Sequence, residues 1–373
     1  MDAAKIGIAV CNQNVLIIKI LFGICVANTD FCIYNMNIDT VNILAIESSC
    51  DETSAAIIQN GKVLSNVIAT QKVHELYGGV VPELASRAHM QNIIPVVDVA
   101  LQNAGVGKHD IQAVAFTQAP GLIGSLLVGA CFAKAYAQSL NVPLIAVHHM
   151  QAHVLAHFID EQQPQFPFLC LTVSGGHTQI VLCRHHLDME VMGETVDDAA
   201  GEAFDKVAKM LGLPYPGGPL VDKYAKLGDP KRFTFPISEM KGYEFSFSGI
   251  KTSVMYFLQD KKKIDPDFVV NNMNDICASV QYTIVKTLMN KFRKAAKELK
   301  VKHIGIAGGV SANSGLRAAL LEEGQANGWE VFIPKFEYCT DNAAMIGITG
   351  YYKYLQSSFT DLGVCPTARA TWS

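Results

Sequence analysis

Four histidines crowd one short stretch, VPLIAVHHMQAHVLAHFID at residues 142–160: His148, His149, His153 and His157. Pro143 to Val147 reads as a short buried strand, and the histidines follow where it gives way to a helix. Residues four apart lie on one face of a helix. His149 and His153 can therefore converge on one point, and His153 and His157 can do so one turn later. Two imidazoles at that spacing are half of a metal site, and a third ligand, a carboxylate by preference, has to come from elsewhere in the chain. The same spacing also fits histidines that cap a strand or sit satisfied on a helix surface, and spacing alone does not separate the two readings.

Other stretches carry groups of the same density. Glu47-Ser48-Ser49-Cys50-Asp51-Glu52-Thr53 lies between the apolar runs Val41 to Ile46 and Ala55 to Ile58, which read as two strands around a turn of acids and hydroxyls. Phe168 to Val173 and Thr178 to Cys183 repeat that plan around Ser174-Gly175-Gly176-His177, a turn whose backbone N–H groups can cradle a phosphate. Two such hairpins about 130 residues apart predict a duplicated fold with a cleft between the halves. Asp205 and Lys206 fall on a helix from about Ala199 to Leu211. The rigid loop at residues 214–219 holds Gly218, and Asp222 is expected to begin the next helix. Lys251 follows a strand-to-helix turn at Ser248-Gly249 and can neutralise a phosphate. Gly308, Gly309 and Asn313 fall where a strand gives way to a helix, either a nucleoside pocket or a structural turn with Asn313 as its cap. Asp341 opens the last helix, as an N-cap or as a ligand.

The elements that must position these groups alternate strand and helix, the pattern of an α/β protein with parallel sheet portions. Residues 72–105 read as mostly helical, with Arg87 and His89 expected at the surface. A strand over Asp110 to Gln118 leads through Gly121 and Gly124 into a helix of small residues. Those glycines serve either an anion at the helix N-terminus or close helix packing. Asn60-Gly61 signals a hairpin turn before Lys62 to Ala69.

The length of 373 residues suits two domains of moderate size. The formal net charge of -4 means that any nucleic-acid contact rests on a local basic patch or on a partner. The strongly basic zone is Lys261 to Lys263 with Lys291, Arg293, Lys294, Lys297, Lys300 and Lys302, read as a solvated helix face or an RNA contact. Ten cysteines without a CxxC pair fit reduced thiols in a cytosolic protein better than a disulfide frame. The apolar stretch at residues 15–28 is broken by Lys19 and falls short of the ~20 residues of a membrane span. Residues 1–38 are expected to form an N-terminal extension that packs poorly, with Met36 as a tidier start.

Together, ILAIESSCDETSAAI, VHHMQAH, LTVSGGHTQIVL, GEAFDKVAKMLGLPYPGGP, FSFSGIKT, AGGVSANSGLR and CTDNAAMI resemble the bacterial branch of the tRNA N6-adenosine threonylcarbamoyltransferase family, from about residue 41 to the C-terminus. The resemblance implies two duplicated lobes of the actin-like, sugar kinase and Hsp70 ATPase (ASKHA) fold. The first lobe is residues 41–169 plus 343–373 and the second is residues 170–342. It implies a cytoplasmic enzyme that moves a threonylcarbamoyl group from threonylcarbamoyl-AMP to the N6 amine of the adenosine 3′ of the anticodon in ANN-decoding tRNAs. It also implies one divalent metal per subunit, Fe2+ before Zn2+, held by His149, His153 and Asp341. The substrate contacts carry over to Thr172, Val173, Ser174, Gly175, Gly176, Asp205, Gly218, Asp222 and Asn313. The implied partners are a smaller TsaB-like paralogue of the same fold and a small TsaE-like ATPase, with no membrane. Gln151 departs from the family, where many relatives have Glu, but it points off the face of the two histidines.

The chemistry agrees with the residues. An acyl adenylate is already activated, so no covalent nucleophile is demanded, and the adenine amine needs positioning above all. Backbone N–H groups at Ser174 to Gly176 can stabilise developing charge. No base is identified; Asp51, Glu52 and His177 are the candidates. A metallopeptidase of the HExxH type needs a glutamate beside its first ligand, where this chain has Met150 and Gln151. A sugar kinase would leave the histidine pair redundant, and an inert scaffold would not explain the trio. A carbamoyltransferase acting on a carbamoyl adenylate is the nearest alternative.

Overall fold

The structure is a computed structural model that describes residues 40–370, so the expected N-terminal extension lies outside the described residues. Two five-stranded sheets organise the chain. The first comprises β1 (Asn42–Glu47), β2 (Glu52–Gln59), β3 (Lys62–Thr70), β4 (Ala113–Ala119) and β5 (Leu144–His148), in the order β3-β2-β1-β4-β5. The second comprises β6 (Phe168–Val173), β7 (Thr178–His185), β8 (Asp188–Glu194), β9 (His303–Ala307) and β10 (Glu330–Phe332), in the order β10-β9-β6-β7-β8. Each sheet starts with a strand paired antiparallel to the next and parallel to the fourth, so β6 to β10 repeat β1 to β5 pair by pair. The central strands β1 and β6 are buried along their whole length. That matches their unbroken apolar runs, as expected for strands covered on both faces. Asn60 and Gly61 turn β2 into β3 with φ of 49° and 81°, the left-handed pair that a two-residue hairpin needs.

The helices are α1 (Pro82–Ala104), α2 (Ile123–Leu140), α3 (His149–Leu155), α4 (Ala200–Met210), α5 (Gly218–Ala225), α6 (Ser248–Ile264), α7 (Phe268–Asn271), α8 (Met273–Leu299), α9 (Ser314–Asn327) and α10 (Ala343–Leu355). One face of the first sheet packs on α1 and α2 through Ile46, Ile57, Phe116 and Ala133. Its other face packs on α3 and α10 through Ile43, Ala45, Ala152 and Ile346. The second sheet buries Leu169, Leu171 and Ile180 against α4, α6 and α8. Its opposite face, with Phe168, Cys170 and Val181, meets Val154, Leu155 and Ile348. Helix α3 is therefore clamped between the sheets, and all seven of its residues are buried.

Several expectations need correction. His89 is not at the surface. It is fully buried on α1, 2.8 Å from Thr53 Oγ1 and 2.9 Å from the Cys50 carbonyl, where it braces the acid turn. Arg87 is exposed and pairs with Glu83. The residues before α1 form a separate 3-10 turn, Lys72–Tyr77. Asp222 lies inside α5, not at its start. The segment before α6 contributes only a bridge of Phe245 with Thr195. Gly121 and Gly124 serve packing, because a Cβ would stand 2.6 Å from the Ser49 carbonyl at the first and 2.4 Å from Ser86 Oγ at the second.

Candidate metal centre

β5 delivers His148, and the chain turns at once into α3, placing His149 and His153 on one side of a helix held by both sheets. Asp341 immediately precedes α10, whose N-cap is Asn342; the Asn342 side chain accepts from the Met345 N–H. One ligand atom from each of His149, His153 and Asp341 lies within 4.8 Å of the others. Asp341 Oδ1 is 3.4 Å from His149 Nε2 and 3.2 Å from His153 Nε2. Donor atoms around an ion with bonds of about 2.1 Å stand roughly 3.0–3.4 Å apart, so these separations already fit a cation. Nδ1 of His153 is buried without a hydrogen-bond partner, and Nε2 has the Asp341 carboxylate as its contact. A buried polar atom without a partner is costly unless something not yet bound uses it. The expected second pair does not form. The helix tightens to 3-10 at Ala156–Phe158, and His157 turns its nitrogens to the carbonyls of Val154 and Phe332.

Glu47, the last residue of β1, backs the group. It is fully buried, and its Oε2 lies 3.1 Å from His149 Nδ1. The carboxylate also accepts from the Ser49 N–H and the Thr117 hydroxyl. An ionised carboxylate only accepts, so His149 carries its proton on Nδ1 and turns Nε2 toward Asp341. Burial pushes the Glu47 carboxyl up, but the His149 imidazole and these hydrogen bonds hold it below the ordinary value. Burial opposes charge on His149, yet Asp341 and Glu47 together raise it well above an ordinary imidazole. Burial likewise opposes charge on Asp341, and His149 and His153 pull it far down. In effect a proton on His149 stands where a metal charge fits. The sequence signal for Glu47 was an acid ending an otherwise apolar buried strand.

The second sheet faces this group with the β6–β7 turn. Thr172 and Val173 are buried at the end of β6. Ser174 closes the turn, donating its N–H to the His177 carbonyl at 2.8 Å while its hydroxyl accepts from the His177 N–H at 3.1 Å. A Cβ at Gly175 or Gly176 would meet nothing within 4 Å, and both residues are exposed. Helix α4 begins directly beneath: Ala200 N–H donates to Thr178 Oγ1 at 2.9 Å, and a Cβ on Gly201 would fall 2.5 Å from the Ser174 carbonyl. Burial, then the nearby charges of His149 and His153, push the His177 imidazole down to about 4. Across the cleft, burial, then Asp341 and Asp51, raise the Glu52 carboxyl to about 9. Burial, then Asp51 and Asp205, also raise the phenol of Tyr215 in the Pro-Gly loop.

The other expected contacts sit in separate hydrogen-bonded groups in the second half. Asp205 Oδ1 accepts from the N–H groups of Gly217 and Gly218, both at 2.9 Å. Asp222 Oδ1 accepts from Ser314 N–H and hydroxyl. Asn313 caps α9 through Leu316 N–H and donates its amide to Gln281 at 2.7 Å. Lys251 lies half-buried in the first turn of α6. Much of the basic zone is engaged within the protein: Lys291 holds the carbonyls of Met240 and Gly242, Arg293 pairs with Glu323, and Lys261 and Lys294 lie over aromatic rings.

Two like-ordered sheets enclosing a helix define an α/β chain of the ASKHA class. Solved structures agree on the fold. Full-length HypF is similar at TM-score 0.57 and 14% identity over 86% of this chain and 47% of that one. Component A of the Acidaminococcus fermentans (R)-2-hydroxyglutaryl-CoA dehydratase is similar at TM-score 0.51 and 14% identity over 84% and 99%. The family model of the tRNA N6-adenosine threonylcarbamoyltransferases matches residues 62–348. The proteins of that name from Christiangramia forsetii and Cytophaga hutchinsonii are 61% and 58% identical, covering 90% and 88% of this chain and 99% and 96% of theirs. The chain belongs to the tRNA N6-adenosine threonylcarbamoyltransferase family, enzymes that place a threonylcarbamoyl group on an adenosine of tRNA.

Proposed function

We propose that this chain takes the threonylcarbamoyl group from threonylcarbamoyl-AMP and transfers it to N6 of the adenosine 3′ of the anticodon in ANN-decoding tRNAs, using one divalent metal. The observation that carries the metal is the trio His149, His153 and Asp341, whose ligand atoms lie within 4.8 Å of one another around a fully buried His153. A divalent cation there supplies Lewis acidity toward the acyl donor's oxygens, and histidine with carboxylate suits Fe2+ first and Zn2+ second. Residues 41–169 with 343–373 and residues 170–342 act as the two lobes.

The chain's own residues do the remaining work. Thr172 and Val173 set the level of the β6–β7 turn. Ser174, whose N–H is spent on the His177 carbonyl, closes it, and the amides of Gly175 and Gly176, above the N-terminus of α4, receive the phosphate or the developing negative oxygen. Asp205 spends one oxygen on Gly217 and Gly218 and can offer the other to a hydroxyl of the nucleoside. Gly218, Asp222 and Asn313 shape that pocket by fixing its loops. Lobe walls and the acid turn exclude water, so the amine competes with hydrolysis from a fixed position. A TsaB-like paralogue and a TsaE-like ATPase complete the working assembly in the cytoplasm. Among the described residues no helix is long and apolar enough to cross a membrane.

The test is transfer of labelled threonylcarbamoyl from its adenylate to unmodified tRNA, with the partner proteins present and metal content measured. Transfer that H149A abolishes, together with the metal, supports the reading. Transfer that survives H149A removes the metal from it, and no transfer by a metal-loaded preparation points to a carbamoyl adenylate and another acceptor.

A further inference from the structure

Asp341 reaches the histidines on a strap, residues 333–342, that runs from β10 to α10 and contains only one short 3-10 turn, Phe336–Tyr338. Such a segment takes its path from side chains that hold it. Its far end is tied to the first sheet: Ala343 N–H donates to Ser54 Oγ on β2 at 2.9 Å, and Ala344 N–H to Asn66 Oδ1 on β3 at 3.2 Å. Its near end is tied to the second half by one side chain. Arg317, half-buried in the first turn of α9, donates from Nη2 to the Pro334 carbonyl at 3.3 Å and to Cys339 Sγ at 3.2 Å. From Nε it donates to the Ser311 carbonyl at 2.7 Å, inside the loop that leads to Asn313. Its guanidinium carbon lies 3.9 Å from the centroid of the Phe336 ring, which is otherwise 65% exposed. The Cys339 thiol points toward the carbonyls of Pro334 and Lys335. The other ion pair on the strap, Lys335 with Asp160, has a largely exposed lysine and contributes little.

We infer that Arg317 is a positioning residue whose guanidinium fork joins the loop before Asn313 to the strap, and so sets Asp341 against His149 and His153. A planar fork with several donors at fixed angles can hold two segments at once and stack on an aromatic ring; an ammonium is a single point and cannot. Asp341 is thus suspended between the two sheets. A shift of the loop at residues 308–313, which borders the proposed nucleoside pocket, passes through Arg317 to the carboxylate.

The test compares R317M and R317K with R293M, which removes a guanidinium that pairs with Glu323 on α9 and does not touch the strap. Amide hydrogen exchange is measured on metal-free protein, and binding of Co2+, as probe, by its absorption spectrum. R317M is expected to speed exchange in both residues 308–313 and residues 334–341, with the later turns of α9 unchanged. It is also expected to weaken Co2+ binding by about tenfold, the low end for loss of a group hydrogen-bonded to a ligand, because Arg317 acts on Asp341 through the strap. R317K falls between wild type and R317M, and R293M changes neither readout. Unchanged exchange in either segment, unchanged Co2+ affinity, or full recovery by Lys overturns the inference. Should R317M not fold, C339A decides: weaker Co2+ binding with faster strap exchange supports it, and wild-type behaviour overturns it. The inference rests on the trio's holding a metal. If the wild-type chain binds no Co2+, that reading fails by itself, while the exchange comparison still decides whether Arg317 ties the two segments.

Discussion

The β1–β2 and β6–β7 turns occupy the same place in two copies of one sheet plan, yet their chemistry is opposite. The first turn carries Glu47, Asp51 and Glu52, and its buried carboxylate backs an imidazole. The second is Ser174-Gly175-Gly176-His177, with no acid and with both glycines exposed. The frame needs only that a central buried strand end at the cleft, so it leaves the turn's residues open to change. One copy gathers carboxyl groups, of which the ionised Glu47 backs a ligand suited to a cation. The other offers partial positive charge suited to a phosphate or an oxyanion. The acids divide by role and not by lobe. Asp205 and Asp222 bond the chain's own amides, whereas Glu47 of the first lobe and Asp341 at the end of the second face histidines.

The largest effects should come from breaking separately the metal trio that Glu47 of the first turn backs and the second turn. H149A or D341A is expected to abolish both bound metal and transfer, read by metal analysis and the labelled-tRNA assay. G201A attacks the other side. Its methyl would stand 2.5 Å from the Ser174 carbonyl and 2.9 Å from Gly175 Cα, so the turn must move. If the turn's amides stabilise developing charge, kcat should fall on the order of 10²-fold, while metal content stays at the wild-type level. Equal loss of metal in G201A would show that the two turns do not divide the work.

Next in size is the proton that stands in for the metal. The His149 imidazole is held well above its ordinary value by Asp341 and Glu47, but a metal ligand must be neutral, so binding releases a proton. Affinity should therefore fall by about tenfold for each pH unit lowered, over the range in which metal-free His149 is protonated. E47Q is expected to weaken binding about 10–100-fold and to flatten that slope, because the carboxylate that raises His149 is gone. Isothermal titration of Zn2+ across pH 6 to 8 in wild type and E47Q measures both; a steep slope surviving in E47Q would assign the proton elsewhere.

The sequence carried the frame well, because both hairpins and the strand–helix alternation rest on local apolar pattern. It carried His149 and His153 because a helix fixes their spacing. It could not tell His149 from His157 as the partner of His153, since the tightening at Ala156–Phe158 is imposed by packing between two sheets. Asp341 lies 188 residues beyond His153 in the chain (341 − 153), and only the family resemblance paired them. Glu47 and His89 acquire their roles through approaches across the fold, to His149 and to Cys50, that no periodicity encodes. Asp205, Asp222 and Asn313 were read as substrate contacts. Which amides their side chains meet depends on loop paths set by Pro, Gly and the helix starts.

The smallest predicted effect tests whether acids of the second half serve the chain itself. Asp197 follows β8 and accepts from the N–H groups of Phe247 and Ser248 and from the hydroxyls of Ser246 and Ser248, capping α6 from outside the helix. Burial works against its charge, but these four bonds hold its carboxyl below the ordinary value. Its contribution is therefore complete above the unfolded-state value near pH ~3.9 and is lost as pH falls through the lower folded-state value. D197A should cost about 1 kcal/mol at neutral pH, as loss of a helix cap does, and metal affinity should not change. Urea unfolding at pH 7 and again near pH 3 should show the difference from wild type shrinking. A D197A variant that instead loses metal would place Asp197 with Glu47 and Asp341, and a deficit that persists unchanged in acid would show that the carboxylate's four bonds are not what stabilises α6.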